Sequence, residues 1–206
     1  MGCQVLLQVV YTAWFPARPK TGWPDWLGGE FDALVWRMTL DETGTPMVLD
    51  SMHACGCCHM FFPTPRMQAK PQPSTLDEWT FVPRSLPAAA AGSDVRLRVA
   101  SRTHDLVRVQ LRPAAQPPAG LQPQRHYSLR PGQHLRRLTG ADGRHRSLYG
   151  PHGLVPGSQR GERYFFWPMG VHDAGAMRQS GRHATAIIGR RHFDEVDLLQ
   201  RCFVRR

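Results

Sequence analysis

The chain predicts a mainly β fold, or an α+β fold with few helices. The expected architecture is an antiparallel sandwich or partly open barrel with long loops and a short C-terminal helix. Three observations point there. β-branched and aromatic residues come in short runs such as QVLLQVVYTAWF and FDALVWRMTL. Residues 95–111 alternate apolar and polar side chains with the period of two of a half-buried strand. Proline and glycine, at 18 and 19 residues, punctuate the chain too often for long helices. With 206 residues there is enough chain for one real core, and residues 1–206 are read as a single β-rich domain.

Residues 4–15 predict a long strand ended by Pro16, and 16–30 a loop anchored by Trp23 and Trp26. Residues 31–40 predict a second strand, Asp41-Glu42-Thr43-Gly44 a turn, and 47–52 a third strand, together an antiparallel meander. After the Cys/His segment, Met60-Phe61-Phe62 looks extended, and 79–82 (WTFV) suggests a further short strand. Val95, Leu97 and Val99 alternate with Arg96 and Arg98, and Val107, Val109 and Leu111 with Arg108 and Gln110, which predicts a hairpin turning at Thr103-His104-Asp105. A Pro-rich loop or linker is expected near 112–125 and a basic loop region over 126–163. Tyr164–Met169 (YFFWPM) reads as a buried strand. Asp194 predicts a helix start, with Phe193 and Leu198 as staple and Val196, Leu199 and Phe203 on one face.

The formal net charge is +10, and all but two of the 26 basic residues are arginine. Such a balance suits a polyanion or an anionic envelope surface, yet the arginines are dispersed rather than gathered on one segment. No apolar run approaches the ~20 residues of a membrane-spanning helix, so no transmembrane segment is expected. Met1-Gly2-Cys3-Gln4 lacks the basic start of a signal peptide. The default address is the cytoplasm, with an envelope location open if the sequence begins downstream of the true N-terminus. No Gly-x-Ser-x-Gly elbow, phosphate-cradling Gly-x-x-x-x-Gly-Lys loop or dinucleotide fingerprint is present. No catalytic residue is assigned, and His104-Asp105 and His172-Asp173 are sequence neighbours that rarely form a dyad directly.

The chemistry concentrates in His53-Ala54-Cys55-Gly56-Cys57-Cys58-His59. In a straight strand His53, Cys55, Cys57 and His59 would share a face, but neighbours in that row stand ~6.6 Å apart and cannot converge on one ion. A turn at Gly56 removes the obstacle. It lets Cys55 and Cys58 form a Cys-x-x-Cys knuckle, with His53 or His59 beside it and His183 and His192 as distant contributors. Cysteine with histidine favours zinc, and its expected role is structural, since no general base or second carboxylate stands out.

Other readings compete for the same residues. Cys55-x-x-Cys58-His59 satisfies the attachment pattern of haem c, with Met169 or Met177 as a second axial ligand, although the β-rich surroundings and the extra Cys57 disfavour it. Cys55 and Cys58 have the spacing of a thiol oxidoreductase, without the helix that usually follows such a pair. The three cysteines also suit plain burial beside Phe61 and Phe62.

Overall fold

A computed structural model describes residues 5–73, 79–89, 92–113, 127–179, 185–186, 189–190 and 196–206. Four antiparallel strands form a meander in chain order: β1 (Leu7–Arg18), β2 (Gly29–Leu40), β3 (Pro46–His53) and β4 (Met60–Pro63). The expected turn joins β2 to β3, where Asp41 Oδ1 accepts the Thr43 and Thr45 backbone N–H groups and the Thr43 hydroxyl. Gly44, at φ +80°, supplies the left-handed step that closes it.

Shorter elements follow: β5 (Met67–Ala69), β6 (Ser93–Val99), β7 (Leu106–Pro113), β8 (Leu138–Thr139), β9 (His145–Arg146), the helical turn α1 (Arg163–Phe166), β10 (Thr185–Ala186), β11 (Gly189–Arg190), α2 (Leu198–Cys202) and β12 (Phe203–Arg205). They pair as β6–β7, β8–β9, β10–β11 and β12–β5, all antiparallel. No sheet closes into a barrel among the described residues, and the result is mainly β and antiparallel, as a partly open sandwich.

The pleat of the meander decides what each face carries, because successive side chains point to opposite sides. One face collects Ala33, Val35 and Arg37 of β2 with Val48, Asp50 and Met52 of β3; the other collects Asp32, Leu34 and Trp36 with Leu49, Ser51 and His53. Phe61 and Phe62 of β4 divide in the same way. On the first face Val48 and Phe61 pack with Met67 and with Leu198, Cys202 and Phe203 of the C-terminal unit. Further along that face, Ala33, Val35, Met52, Ala54 and Cys55 pack with Val155 and Met177. On the second face the β6–β7 hairpin lies over Trp36, Leu49 and Phe62 through Leu106 and Val109. Each such Leu, Phe or Met contributes about 1.5–3 kcal/mol by leaving water.

Several elements depart from the sequence expectation, each for a local reason. Pro16 does not end β1: pairing with β2 continues through Ala17↔Glu30 and Arg18↔Gly29. β1 is an edge strand, where a missing N–H costs nothing on the open side. In the hairpin, Arg98 pairs with Arg108 but Val99 with Leu106, so Val107 is an inserted residue and stands exposed while Leu106 takes the inner position. Tyr164–Met169 is not a buried strand: Arg163–Phe166 is a helical turn, Trp167–Met169 a 3₁₀ turn, and Tyr164 and Trp167 are exposed. Pro168 presets the tight turn and Gly170, at φ +83°, ends it. Residues 79–82 contribute only an isolated bridge from Phe81 to Met60. The C-terminal helix begins at Leu198 and is short, because Phe203 turns outward into β12 to pair with Ala69. Its expected start at Asp194, with Phe193, lies outside the described residues.

Candidate metal centre

β3 ends at His53, and the chain turns back before β4. His53 N–H donates to the Cys57 carbonyl (3.0 Å) and Gly56 N–H to the His53 carbonyl (2.8 Å). Gly56 takes φ +87° and Cys58 φ +57°. The turn is held from outside by Ala54 N–H on the Ala33 carbonyl (2.9 Å) and by Arg178 N–H on the Ala54 carbonyl (3.1 Å). Because the segment 153–155 runs beside 177–179, through Val155 N–H to the Met177 carbonyl (2.8 Å) and Gln179 N–H to the Gly153 carbonyl (2.8 Å), the loop region roofs this turn.

The turn at Gly56 that convergence of the ligands requires is present, but it sorts the candidate residues differently. Cys55 faces the apolar cluster of Ala33, Met52 and Met177 and is buried. Its hydrogen bond to Cys57 and its burial push its thiol well above the usual range. His59 lies on the first face of the sheet, where its Nε2 donates to Asp50 Oδ2 (2.8 Å) and Arg37 Nε donates to the same oxygen (2.8 Å). His53 projects to the second face and meets the hairpin. Its ligand nitrogen, the Cys58 sulfur and a carboxylate oxygen of Asp105 all lie within 4.8 Å of one another. The structure thus brings together two of the expected residues, His53 and Cys58, adds Asp105, and directs Cys55 and His59 elsewhere. His183 and His192 lie outside the described residues.

His53 has a notable environment. Its side chain is 7% exposed, and Nε2 is a buried nitrogen with no hydrogen-bond partner. Asp105 Oδ1 is 3.3 Å from Nε2 but not aligned as a hydrogen bond. On the other side of the ring, Nδ1 stands 3.6 Å from Asp32 Oδ1. Asp32 is itself fixed. His104 Nδ1 donates to its Oδ2 (2.7 Å), the His104 ring stacks on Phe15 at 3.8 Å, and Arg160 Nη2 lies 3.7 Å from Oδ1. Burial pushes the Asp32 carboxyl up, but the imidazoles of His53 and His104 and the charge of Arg160 outweigh it and hold the group below its ordinary value. Asp32 is therefore a buried carboxylate at neutral pH, aimed at one edge of a ring whose other edge faces Cys58 and Asp105.

Backbone strain gathers at the same place. Among the described residues the non-glycine positions with left-handed φ are Phe31 (+53°), Cys58 (+57°) and His104 (+58°). Phe31 precedes Asp32, and His104 precedes Asp105. Such conformations cost about 1–3 kcal/mol each and persist where surrounding contacts impose them. At Phe31 the imposing contact is Arg160, whose guanidinium donates to the Glu30 carbonyl (2.8 Å) and to that of Phe31.

Asp32 was not among the residues singled out from the sequence, and Asp105 entered only as the neighbour of His104, not as a metal ligand. Asp32 carried a signal, since it is a carboxylate inside the apolar run FDALVWRMTL. Asp105 carried none, because its place depends on where the hairpin lands. The haem reading meets an obstacle in this geometry: Cys55 is turned into the core and His59 is bound to Asp50, so a planar ligand would need the turn to refold. A His/Cys/Asp group able to hold a metal ion is present, and no helix among the described residues is long and apolar enough to cross a membrane. No protein-family model, no curated protein and no solved structure matches this chain.

Proposed function

We propose that the chain is a zinc-binding β protein whose ion is held by His53, Cys58 and Asp105. The observation that carries this reading is the buried, unpartnered Nε2 of His53, 3.3 Å from Asp105 Oδ1 and beside the Cys58 thiol. A buried ring nitrogen without a partner costs free energy unless something binds it. Two ligands ~2.1 Å from a tetrahedral ion stand ~3.4 Å apart, which the nitrogen–oxygen separation already matches. A thiolate with an imidazole and a carboxylate suits zinc and excludes magnesium and calcium, which take oxygen ligands. Asp32 at the far edge of the His53 ring fits the carboxylate that orients a metal-bound imidazole. The fourth position belongs to water or to His183 or His192.

The role is structural. His53 and Cys58 belong to the meander and Asp105 to the tip of the β6–β7 hairpin, so one ion would pin the hairpin to the sheet it covers. Cobalt(II) is the direct probe, since a tetrahedral cobalt–thiolate site is coloured. We expect an intense sulfur-to-cobalt band together with tetrahedral ligand-field bands, lost in Cys58→Ser and displaced by equimolar zinc. A colourless cobalt adduct in the folded, reduced protein would defeat the reading.

A second reading, an arginine face for polyanions, has one observation in its favour: Arg98 and Arg108 are direct cross-strand partners and both are exposed. Like charges placed opposite one another are unfavourable unless an anion covers them. Steep salt-dependent heparin binding, weakened by Arg98→Ser/Arg108→Ser, would support it, and binding indifferent to that change would remove it.

A further inference from the structure

The turn that carries Cys58 also holds two thiols that the metal centre does not use. Cys55 is buried, and Cys57 is half-buried against the same apolar cluster of Ala33, Met52 and Met177. Their side chains are hydrogen-bonded to each other. The backbone leaves them little freedom to part. Gly56 at φ +87° folds the chain between them, and both flanks are tied down: His53 N–H to the Cys57 carbonyl, Gly56 N–H to the His53 carbonyl, and Ala54 to both Ala33 and Arg178. Residues two apart at such a turn fall near the ~4.4–6.8 Å Cα separation that a disulfide requires. The two thiols differ in access, Cys57 half-buried and Cys55 closed off, which is the asymmetry of an attacking and a resolving cysteine. The buried guanidinium of Arg160 and the half-buried one of Arg178 lie within electrostatic reach of Cys55, and Arg178 also of Cys57.

We propose that Cys55 and Cys57 form a reactive dithiol that reduces low-molecular-weight disulfides and closes to an intramolecular disulfide. Cys57 loses its proton to solvent and its sulfur attacks one sulfur of the disulfide R–S–S–R. A Cys57–S–S–R bond forms, and R–S⁻ leaves and takes up a proton. Cys55 then gives its proton to solvent and its sulfur attacks the Cys57 sulfur. This releases the second R–S⁻, which is protonated in turn. Two thiols of the protein have been oxidised to a disulfide and one external disulfide reduced to two thiols, with protons and electrons balanced. Cys58 takes no part, because its sulfur faces His53 and Asp105. The pair therefore differs from the Cys55/Cys58 spacing that the sequence suggests for redox chemistry.

The test uses the full chain, reduced and metal-free, treated with oxidised glutathione, quenched by acid and alkylated, with the cysteine-containing peptides read by mass spectrometry. Alkylated after denaturation, treated wild type should show two fewer free thiols per chain than the untreated protein and yield a Cys55–Cys57 cross-link, while Cys202, which is buried in the fold, should remain a free thiol. Cys58→Ser should give the same cross-link. That variant also separates the two proposals, since it abolishes the metal centre and leaves the dithiol intact. Cys57→Ser should abolish closure, and Cys55→Ser should stop at a mixed disulfide of Cys57 with glutathione. Circular dichroism of each variant establishes that it is folded. Cys55 and Cys57 both still free thiols in treated wild type when alkylated after denaturation, or a cross-link that includes Cys58 or Cys202 instead, would overturn the inference.

Discussion

The two faces of the meander each carry a buried aspartate, and the two have opposite surroundings. Asp50 receives Arg37 and His59 on one face. Asp32 receives His104 on the other, with His53 and Arg160 close by. Around Asp50 the network is closed, and none of the three residues leaves a buried side-chain nitrogen or oxygen without a partner. Around Asp32 the network is open: it ends at His53 Nε2, which has no partner and looks out past the exposed thiol of Cys58 to Asp105, itself 51% exposed. Two of the three left-handed residues, Phe31 and His104, adjoin Asp32 and Asp105 on the open side, and the third, Cys58, joins the open site to His59 of the closed one. A closed polar network specifies a fold, whereas one that stops at a buried donor or acceptor on the edge of solvent leaves a position that water or an ion can complete.

The largest effect is expected at Asp50. Asp50→Ala leaves the Arg37 guanidinium buried without its counter-charge, and chemical denaturation should report a loss of about 3–5 kcal/mol. Zinc affinity of the folded fraction should not change. A smaller effect is expected from removing a ligand. Cys58→Ser and Asp105→Asn should each lower zinc affinity by roughly 100-fold or more, measured against a chromophoric chelator, because losing a ligand exceeds the ~10–100-fold cost of losing an orienting partner. Both side chains are exposed, so metal-free stability should move by no more than about 0.5 kcal/mol. Asp32→Asn occupies the middle ground. It keeps the shape but weakens the orienting carboxylate, and affinity should fall ~10–100-fold while Cys58 and Asp105 remain in place.

Acid sharpens the comparison with the smallest effect. The Asp41 carboxyl is held down to about 2 by the Thr43 hydroxyl first, with backbone N–H groups and Arg66 adding to it against burial. Asp32 is also held below its ordinary value. A depressed carboxyl contributes stability above its unfolded pKa, about 3.9, and loses it as pH falls through the folded value. Metal-free protein should therefore lose stability as the pH falls from about 4 through about 2, where Asp41 takes up its proton. Thr43→Val should shift the loss toward higher pH. An acid transition unmoved by Thr43→Val would show that Asp41 does not govern it.

The sequence made the β class, the meander and the chemical segment legible, because periodicity, turn residues and clustered cysteines are local signals. Other features depended on contacts between distant parts of the chain. Val107 and Leu106 exchange roles through a bulge that alternation cannot foresee. Pro16 belongs to a strand because β1 is at an edge, a matter of topology. Within the Cys/His segment, Gly56 was readable as the place where a turn is needed, yet whether that turn aims Cys55 or Cys58 at His53 is decided by Met177 and Val155, far along the chain, which receive Cys55 in the core. Asp105 enters only because Leu106 and Val109 seat the hairpin on Trp36 and Leu49. Asp32 was visible as a charge in an apolar strand, but its partner His104 was not.

The central claim is that the open network binds the ion and the closed one does not. The measurement that tests it most directly is zinc stoichiometry and affinity by chelator competition in wild type, Asp105→Asn and His59→Ala, side by side. The account predicts one zinc per chain in wild type and in the folded fraction of His59→Ala, with binding lost or reduced by roughly 100-fold or more in Asp105→Asn. Zinc that depends on His59 and is indifferent to Asp105, or a reduced wild-type protein that takes up none, would contradict it.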